Sequence, residues 1–290
     1  MNKLFIISVK NVNVSLLMLM LLGGLFPSAM MAQDSMSGQK TNVVIPQLKK
    51  EKPMDLYLLI GQSNMAGRGP LTDEYTNMGN KNVLMLTKEN KWVTAKHPLH
   101  FDKPNVAGVG PGLSFGIAML KENKKHSIGL IPCAVGGTSI NVWQPGGYDN
   151  ATKTHPYDDM LVRLYEALKS GTLKGVIWLQ GESDSSPEKA SDYLKKLEAL
   201  IHRLRSVVNN PLLPFVAGEL GQYKEAYQNI NKELAQLPKS VEYTAIATSE
   251  GLTDKGDQTH FDSRSAVEYG KRFAKKMKML LRKENKKSEE

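Results

Sequence analysis

Six short runs, residues 56–60, 83–86, 128–135, 176–180, 215–218 and 243–247, are almost wholly apolar, where a strand with one wet face would alternate with polar residues. Runs of this kind are the signature of strands buried on both faces of a sheet. Between them lie stretches with helical spacing. Leu113, Ile117 and Leu120 share one face of a helix expected over 111–123 behind an N-terminal proline, and Leu161, Leu164, Tyr165 and Leu168 do the same over 158–170. Segments 187–208 and 223–237 continue the alternation. A last helix, opened by Asp262 or by a capping box from Ser265 to Glu268, is expected to bury Phe273, Met277 and Leu280. Strands each followed by a helix imply an α/β fold with a parallel sheet covered on both sides.

At 290 residues and 41% hydrophobic content the chain can bury a large core, and one catalytic-sized domain is expected over 54–282, with a charged tail at 283–290. The first segment carries Lys3 and Lys10, an apolar core over 16–26 and small residues up to Ala32, the order of a signal peptide spanning 1–32. Its apolar core is about half of the roughly 20 residues a spanning helix needs, so no stable membrane span is expected after cleavage. The implied location is secreted or periplasmic. Residues 33–53 are polar and lysine-rich and read as a linker. Cys133 is the single cysteine, so no internal disulfide is possible, and its apolar run makes it an inert buried residue. The net charge of +9 falls to about +7 without the first segment. Nine of the residues over 271–287 are Lys or Arg, but they interleave with Ala274, Met277 and Leu280 as a solvated helix face would. The one aromatic residue among them, Phe273, falls on the face expected to be buried and so is not available to stack bases, and a nucleic-acid partner is not expected.

In an open parallel sheet, ligands bind beyond the carboxyl ends of the strands. Four polar clusters fall there: "GQSNM" with Gln62 and Ser63, "PCAVGGTSINVW" with Gly136 and Gly137, "WLQGESD" with Gln180 and Glu182, and "GDQTHFD" with Asp257 and His260. Ser63 at a strand-to-helix turn exposes its hydroxyl beside the first free backbone N–H groups, although a plain N-cap also puts serine at such a junction. Asp257 and His260 supply a base and a carboxylate to orient it from one loop. Glu182 is a second carboxylate in reach, better placed to fix Gln180 or the Ser63 loop. Asp257, His260 and Asp262 make a poor metal set, three ligands from one short loop, and no metal or other cofactor is expected. Gly136 and Gly137 are either turn glycines or allow a backbone N–H to approach a carbonyl oxygen. Trp143 and Tyr148 either wall a sugar ring or pack their loop.

Taken together and in this order, "GQSNMAGRG", "GVGPGLSFG", "IGLIPCAVGGTSINVW", "LQGESD" and "DQTHFD" resemble the blocks of the sialate O-acetylesterase-like domain, grouped with carbohydrate esterase family 6 in the SGNH (GDSL-like) hydrolase superfamily. The resemblance spans about 55–281 and implies a flavodoxin-like three-layer α/β/α sandwich. It also implies removal of acetyl groups from sugars without a metal, with an acetylated carbohydrate as partner. Carried over, the nucleophile is Ser63, the histidine His260 and the acid Asp257, with Ser63 and Gly137 donating to the oxyanion, beside Gly136. The superfamily's oxyanion asparagine is missing, and Gln180 in "QGESD" is the candidate substitute. The competing expectations are a lipase or thioesterase of the same superfamily, and a carbohydrate-binding envelope protein without turnover, which would be expected to have lost Ser63, His260 or Asp257.

Overall fold

The computed structural model describes the backbone of residues 54–120 and 126–289, with side chains up to 284. The signal-peptide and linker segments expected at 1–32 and 33–53 lie outside the described residues. Seven strands form one sheet: β1 (Met54–Gly61), β2 (Val83–Leu86), β3 (Trp92–Thr94), β4 (Ser127–Pro132), β5 (Thr172–Leu179), β6 (Phe215–Gly218) and β7 (Thr244–Ala247), in the order β3-β2-β4-β1-β5-β6-β7. All pairs are parallel except β2–β3, a short antiparallel edge hairpin. The sequence reading missed β3, whose three residues are half-buried or exposed and so carry no apolar run.

Nine helices cover the two faces: α1 (Ser63–Ala66), α2 (Asp73–Thr76), α3 (Pro111–Leu120), α4 (Pro156–Leu168), α5 (Pro187–Ala190), α6 (Tyr193–Val207), α7 (Tyr227–Leu234), α8 (Leu237–Ser240) and α9 (Ser263–Glu289), counted among the described residues. The period of two along β1 divides the core. Leu56, Leu58 and Ile60 pack with α4 to α8, while Tyr57 and Leu59 pack with α1, α3 and α9. The result is a three-layer α/β/α sandwich, as expected. The helix expected over 187–208 is broken into α5 and α6, while that expected over 223–237 is shorter, Tyr227–Leu234, with α8 starting at Leu237. The final helix opens with Asp262, whose Oδ1 accepts the Ser265 N–H at 2.7 Å, while the Ser265 hydroxyl turns instead to the Thr253 N–H. The Ser265 to Glu268 capping box is therefore not used. The helix continues to Glu289, through most of the segment expected as a tail. No helix among the described residues is long and apolar enough to cross a membrane.

The turn after β1 explains the abrupt end of its apolar run. Gly61 adopts φ +133, and a side chain there would collide with the Leu179 carbonyl of β5. The next residue, Gln62, donates its N–H to that same carbonyl at 2.9 Å. The chain thus stays pinned to β5 for one residue longer and then turns into α1 with Ser63 at its first position.

Candidate active site

Ser63 is buried except for the edge of its side chain, and its hydroxyl caps nothing in α1, whose N-cap is Gln62. Its partner is remote in sequence. His260 Nε2 lies 3.1 Å from Ser63 Oγ, and His260 Nδ1 lies 2.7 Å from Asp257 Oδ2. Asp257 Oδ1 accepts the backbone N–H groups of Thr259 and His260, and Lys255 Nζ stands 3.4 Å from Oδ2. Partial burial would raise the Asp257 pKa, but the hydrogen bonds from the His260 backbone and ring and from Thr259 outweigh it and hold the carboxyl well below the usual carboxylate range. An ionised Asp257 fixes the imidazole with Nδ1 as donor. Nε2 is then free to accept the Ser63 proton.

The residues Gly136 and Gly137 arrive from the end of β4. The regular strand stops at Pro132, three residues short of the expected end, yet Cys133 N–H and Val135 N–H still donate to Leu59 O and Gly61 O of β1. These bonds carry the chain alongside the Ser63 turn. Gly136 packs so close that a Cβ would lie 3.4 Å from Ser63 Cβ and against the Arg68 guanidinium. Its N–H donates to Asp102 Oδ2 at 2.8 Å, and Asp102 is in turn paired with buried Arg68 at 2.6 Å. Burial pushes the Asp102 pKa up, but Arg68 and the Gly136 N–H more than reverse it, so the pair is ionised.

Gln180 does not face this space. It is fully buried, and its amide nitrogen donates to Thr138 O at 3.0 Å, Asp184 Oδ2 at 2.5 Å and Gln62 Oε1 at 3.2 Å. Both amide protons are engaged inside the fold, which corrects the expectation that Gln180 donates to an oxyanion. Asp184, also buried, accepts from the Ser139 hydroxyl and the Ile140 N–H, so this network fastens the loop after Gly137 to the end of β5. Glu182 does what the sequence suggested for it. Its Oε1 accepts from Asn64 Nδ2 at 2.5 Å, next to Ser63, while its Oε2 is buried without a partner. Burial, opposed by the Asn64 bond, pushes the Glu182 pKa up to about 7.

Four positions escaped the sequence reading. Asn64 donates from the same nitrogen to Thr259 O at 2.9 Å and accepts the Phe261 N–H at 3.0 Å, gripping the backbone on both sides of His260. It stood in the quoted block beside Ser63, as Asp184 stood beside Glu182. Arg68 was quoted too, but its partner Asp102 lies in a loop without motif character. Of the two readings of Trp143 and Tyr148, loop packing holds for Trp143. Trp143 is 1% exposed, set edge-on to Trp178 with its N–H on Thr138 Oγ1, and only Tyr148 is at the surface, against the His155 ring. Among the described residues no group of three or more His, Cys, Asp and Glu is placed to hold a metal ion.

Comparison with known proteins agrees with the layout. Residues 53–279 match the family model described as carbohydrate esterase, sialic acid-specific acetylesterase. A probable carbohydrate esterase from Arabidopsis thaliana is 32% identical over 237 residues, 75% of this chain and 88% of the relative. A crystal structure of an Arabidopsis thaliana protein superposes with TM-score 0.69 at 31% identity, covering 78% of this chain and 98% of the other. The structure of NanS shares the fold, with TM-score 0.66 at 17% identity over 80% of this chain and 99% of the other. The chain therefore belongs to the carbohydrate esterase family of the sialic acid-specific acetylesterase type.

Proposed function

We propose that this protein is a secreted or periplasmic serine esterase that removes O-acetyl groups from carbohydrates, with Ser63 as nucleophile, His260 as general base and acid, and Asp257 as the carboxylate that orients His260. The observation that carries this reading is the unbroken relay from Asp257 Oδ2 through His260 to Ser63 Oγ, at 2.7 and 3.1 Å. His260 Nε2 takes the Ser63 proton as Oγ attacks the acetyl carbonyl carbon, and the negative charge that develops on the carbonyl oxygen is received by the Ser63 and Gly137 backbone N–H groups. The imidazolium gives its proton to the departing sugar oxygen, leaving an acetyl-serine. A water then loses a proton to His260, attacks the acetyl carbon and releases acetate, restoring the Ser63 hydroxyl. Removal of one such oxyanion donor costs about 2.7–4 kcal/mol of barrier in comparable enzymes, so two donors without Gln180 still provide a large stabilisation.

The basic first segment with its short apolar core supports export, and export suits a substrate outside the cytoplasm, acetylated xylan ahead of acetylated sialic acid. The test is hydrolysis of 4-nitrophenyl acetate by the purified chain with chelator present, followed by acetate release from acetylated xylan and from O-acetylated sialic acid side by side. Activity on the small ester and on at least one of the two carbohydrates is expected. Inactivity on every acetyl ester, or strict dependence on added metal, would overturn the reading.

A further inference from the structure

From Tyr269 to Lys283 the last helix carries seven Lys and Arg residues and no acid. Phe273, Ala274, Met277 and Leu280 fill the face of α9 that is buried in the core, so at about 100° per residue the cations are left to the opposite face. Lys271, Lys275, Lys278 and Arg282 follow one another along that face at steps of three and four, and Arg272 and Lys276 form a second row beside them. The two rows line an open groove with Ala118 of α3 and Thr248. Between Lys271 and Lys283 the groove follows more than three turns of helix, about 18 Å.

The contacts within this face leave most of its charge in place. Glu268 stands at the N-terminal end, 3.3 Å from Lys271 and 3.6 Å from Arg272, in water-exposed pairs of the kind that hold little energy. Arg272 also donates to the neutral carbonyls of Thr248 and Glu250, and Lys283 Nζ lies 5.1 Å from the Tyr243 ring centroid, contacts that orient a cation without neutralising it. Cations fixed in rows on a rigid helix select an anionic partner that presents many charges at once. Nucleic acid is disfavoured, because Phe273 is fully buried and gives no ring for a base to stack on. Met279 separates the remaining partners. It is 53% exposed in the middle of the cationic face, where a soluble sulfated or carboxylated polymer would leave its thioether in water, whereas a bilayer offers phosphates at headgroup level and an apolar layer just beneath. No described helix is long and apolar enough to cross a membrane, so the contact is at the surface.

We infer that the exposed face of α9 docks this protein on an anionic phospholipid surface, with the helix lying along the membrane and the lipid phosphates seated between its two rows of cations. The docking is separate from the esterase chemistry and needs no turnover. Attraction between exposed charges is screened over about 10 Å at 0.1 M salt and over less as salt rises, so the docking is strong at low ionic strength and weak at high.

The test is co-sedimentation of the purified chain with vesicles of phosphatidylcholine alone and of phosphatidylcholine with about 30% phosphatidylserine. The apolar run at 16–26 would bind both kinds of vesicle, so the readout is the ratio of the two partition coefficients. That ratio should exceed about thirtyfold at about 0.05 M salt and fall below about threefold at about 0.5 M. Lys271→Gln with Lys275→Gln should lower it by about tenfold or more, and Lys271→Arg with Lys275→Arg should keep it. Lys232→Gln with Lys239→Gln removes equal charge from α7 and α8 and should change it by less than about twofold. All three double variants should keep the parent's melting temperature and its rate on 4-nitrophenyl acetate, since the substituted side chains are exposed. A ratio near one, equal losses in the two glutamine variants, or tighter binding to heparin or duplex DNA than to the anionic vesicles at the same salt would overturn the docking. Vesicle binding that depends on Lys271 and Lys275 in a protein inactive on all acetyl esters would sink the esterase reading and leave the docking standing.

Discussion

Two loops meet at Ser63, and they are built in opposite ways. The loop that carries Asp257 and His260 is half-open to solvent, with their side chains 36% and 23% exposed, and it is folded largely on itself: Asp254 Oδ2 accepts from Gly256 and Gln258, and Asp257 from Thr259 and His260. The clamp formed by Asn64, Glu182, Gln180 and Asp184 is buried at its polar atoms and joins parts of the chain 118 and 195 residues apart. The difference separates two tasks. The loop supplies the reacting groups and their mutual orientation, while the clamp sets the distance from His260 to Ser63 by holding Thr259 and Phe261 against the Ser63 turn.

If this division holds, substitutions in the two regions should differ in kind. The largest effect belongs to Ser63→Ala, which should abolish turnover, by analogy with serine hydrolases where loss of the nucleophile costs on the order of 10⁶-fold in kcat. Because the Ser63 hydroxyl caps no helix, its melting temperature should stay within a few degrees of the parent; a large loss of stability would return Ser63 to a structural role. Next comes Asp257→Asn, expected to lower kcat by up to about 10⁴-fold through loss of the imidazole orientation, again with little change in melting temperature because the carboxylate is a third exposed.

The clamp should behave differently. Asn64→Ala leaves the Phe261 N–H without its acceptor and takes the Asn64 donor from the Glu182 carboxylate, while the Thr259 carbonyl keeps only the Tyr223 hydroxyl, and a buried group so orphaned costs about 1–3 kcal/mol. Both stability and kcat should therefore fall, kcat by on the order of 10²-fold as the histidine loop loses its fixed distance. Loss of activity with unchanged stability would place Asn64 in the chemistry rather than the clamp.

The smallest effect on rate is expected for Glu182→Gln, which keeps an acceptor for Asn64 and should lose less than about tenfold in kcat. Its signature is in stability. A carboxyl whose folded pKa is raised to about 7 binds a proton more tightly in the folded state, so its contribution turns against folding as pH rises through the window from 4.5 to about 7. The parent should therefore lose on the order of 5 °C of melting temperature, relative to Glu182→Gln, between pH 4.5 and pH 8. Parallel melting curves for the two proteins across that range would remove Glu182 from the clamp.

What the sequence revealed follows the same division. Doubly buried strands are legible because burial on both faces excludes polar side chains, and six of the seven were placed this way; β3 escaped because an exposed edge strand of three residues has no such constraint. Ser63, His260 and Asp257 stood at strand ends in recognisable blocks, and the structure brings them together. Asn64 and Asp184 stood inside the quoted blocks but silent, since a buried amide or carboxylate is assigned by partners that only the fold creates. Gln180 was misread for the same reason: its amide looks available in sequence, and only the positions of Thr138 and Asp184 turn it inward. Trp143 likewise presents an aromatic face until Trp178 covers it.

The central claim is that Ser63 is made nucleophilic by a self-folded Asp257–His260 loop. Covalent labelling by a fluorophosphonate, followed by peptide mass spectrometry, tests it most directly, because the reagent requires an activated hydroxyl and no knowledge of the natural substrate. The account predicts a single adduct on the peptide containing Ser63, absent in Ser63→Ala, slowed by orders of magnitude in Asp257→Asn and close to the parent rate in Glu182→Gln. An adduct on another residue, no adduct in the folded parent, or labelling that survives Asp257→Asn but collapses in Glu182→Gln would contradict it.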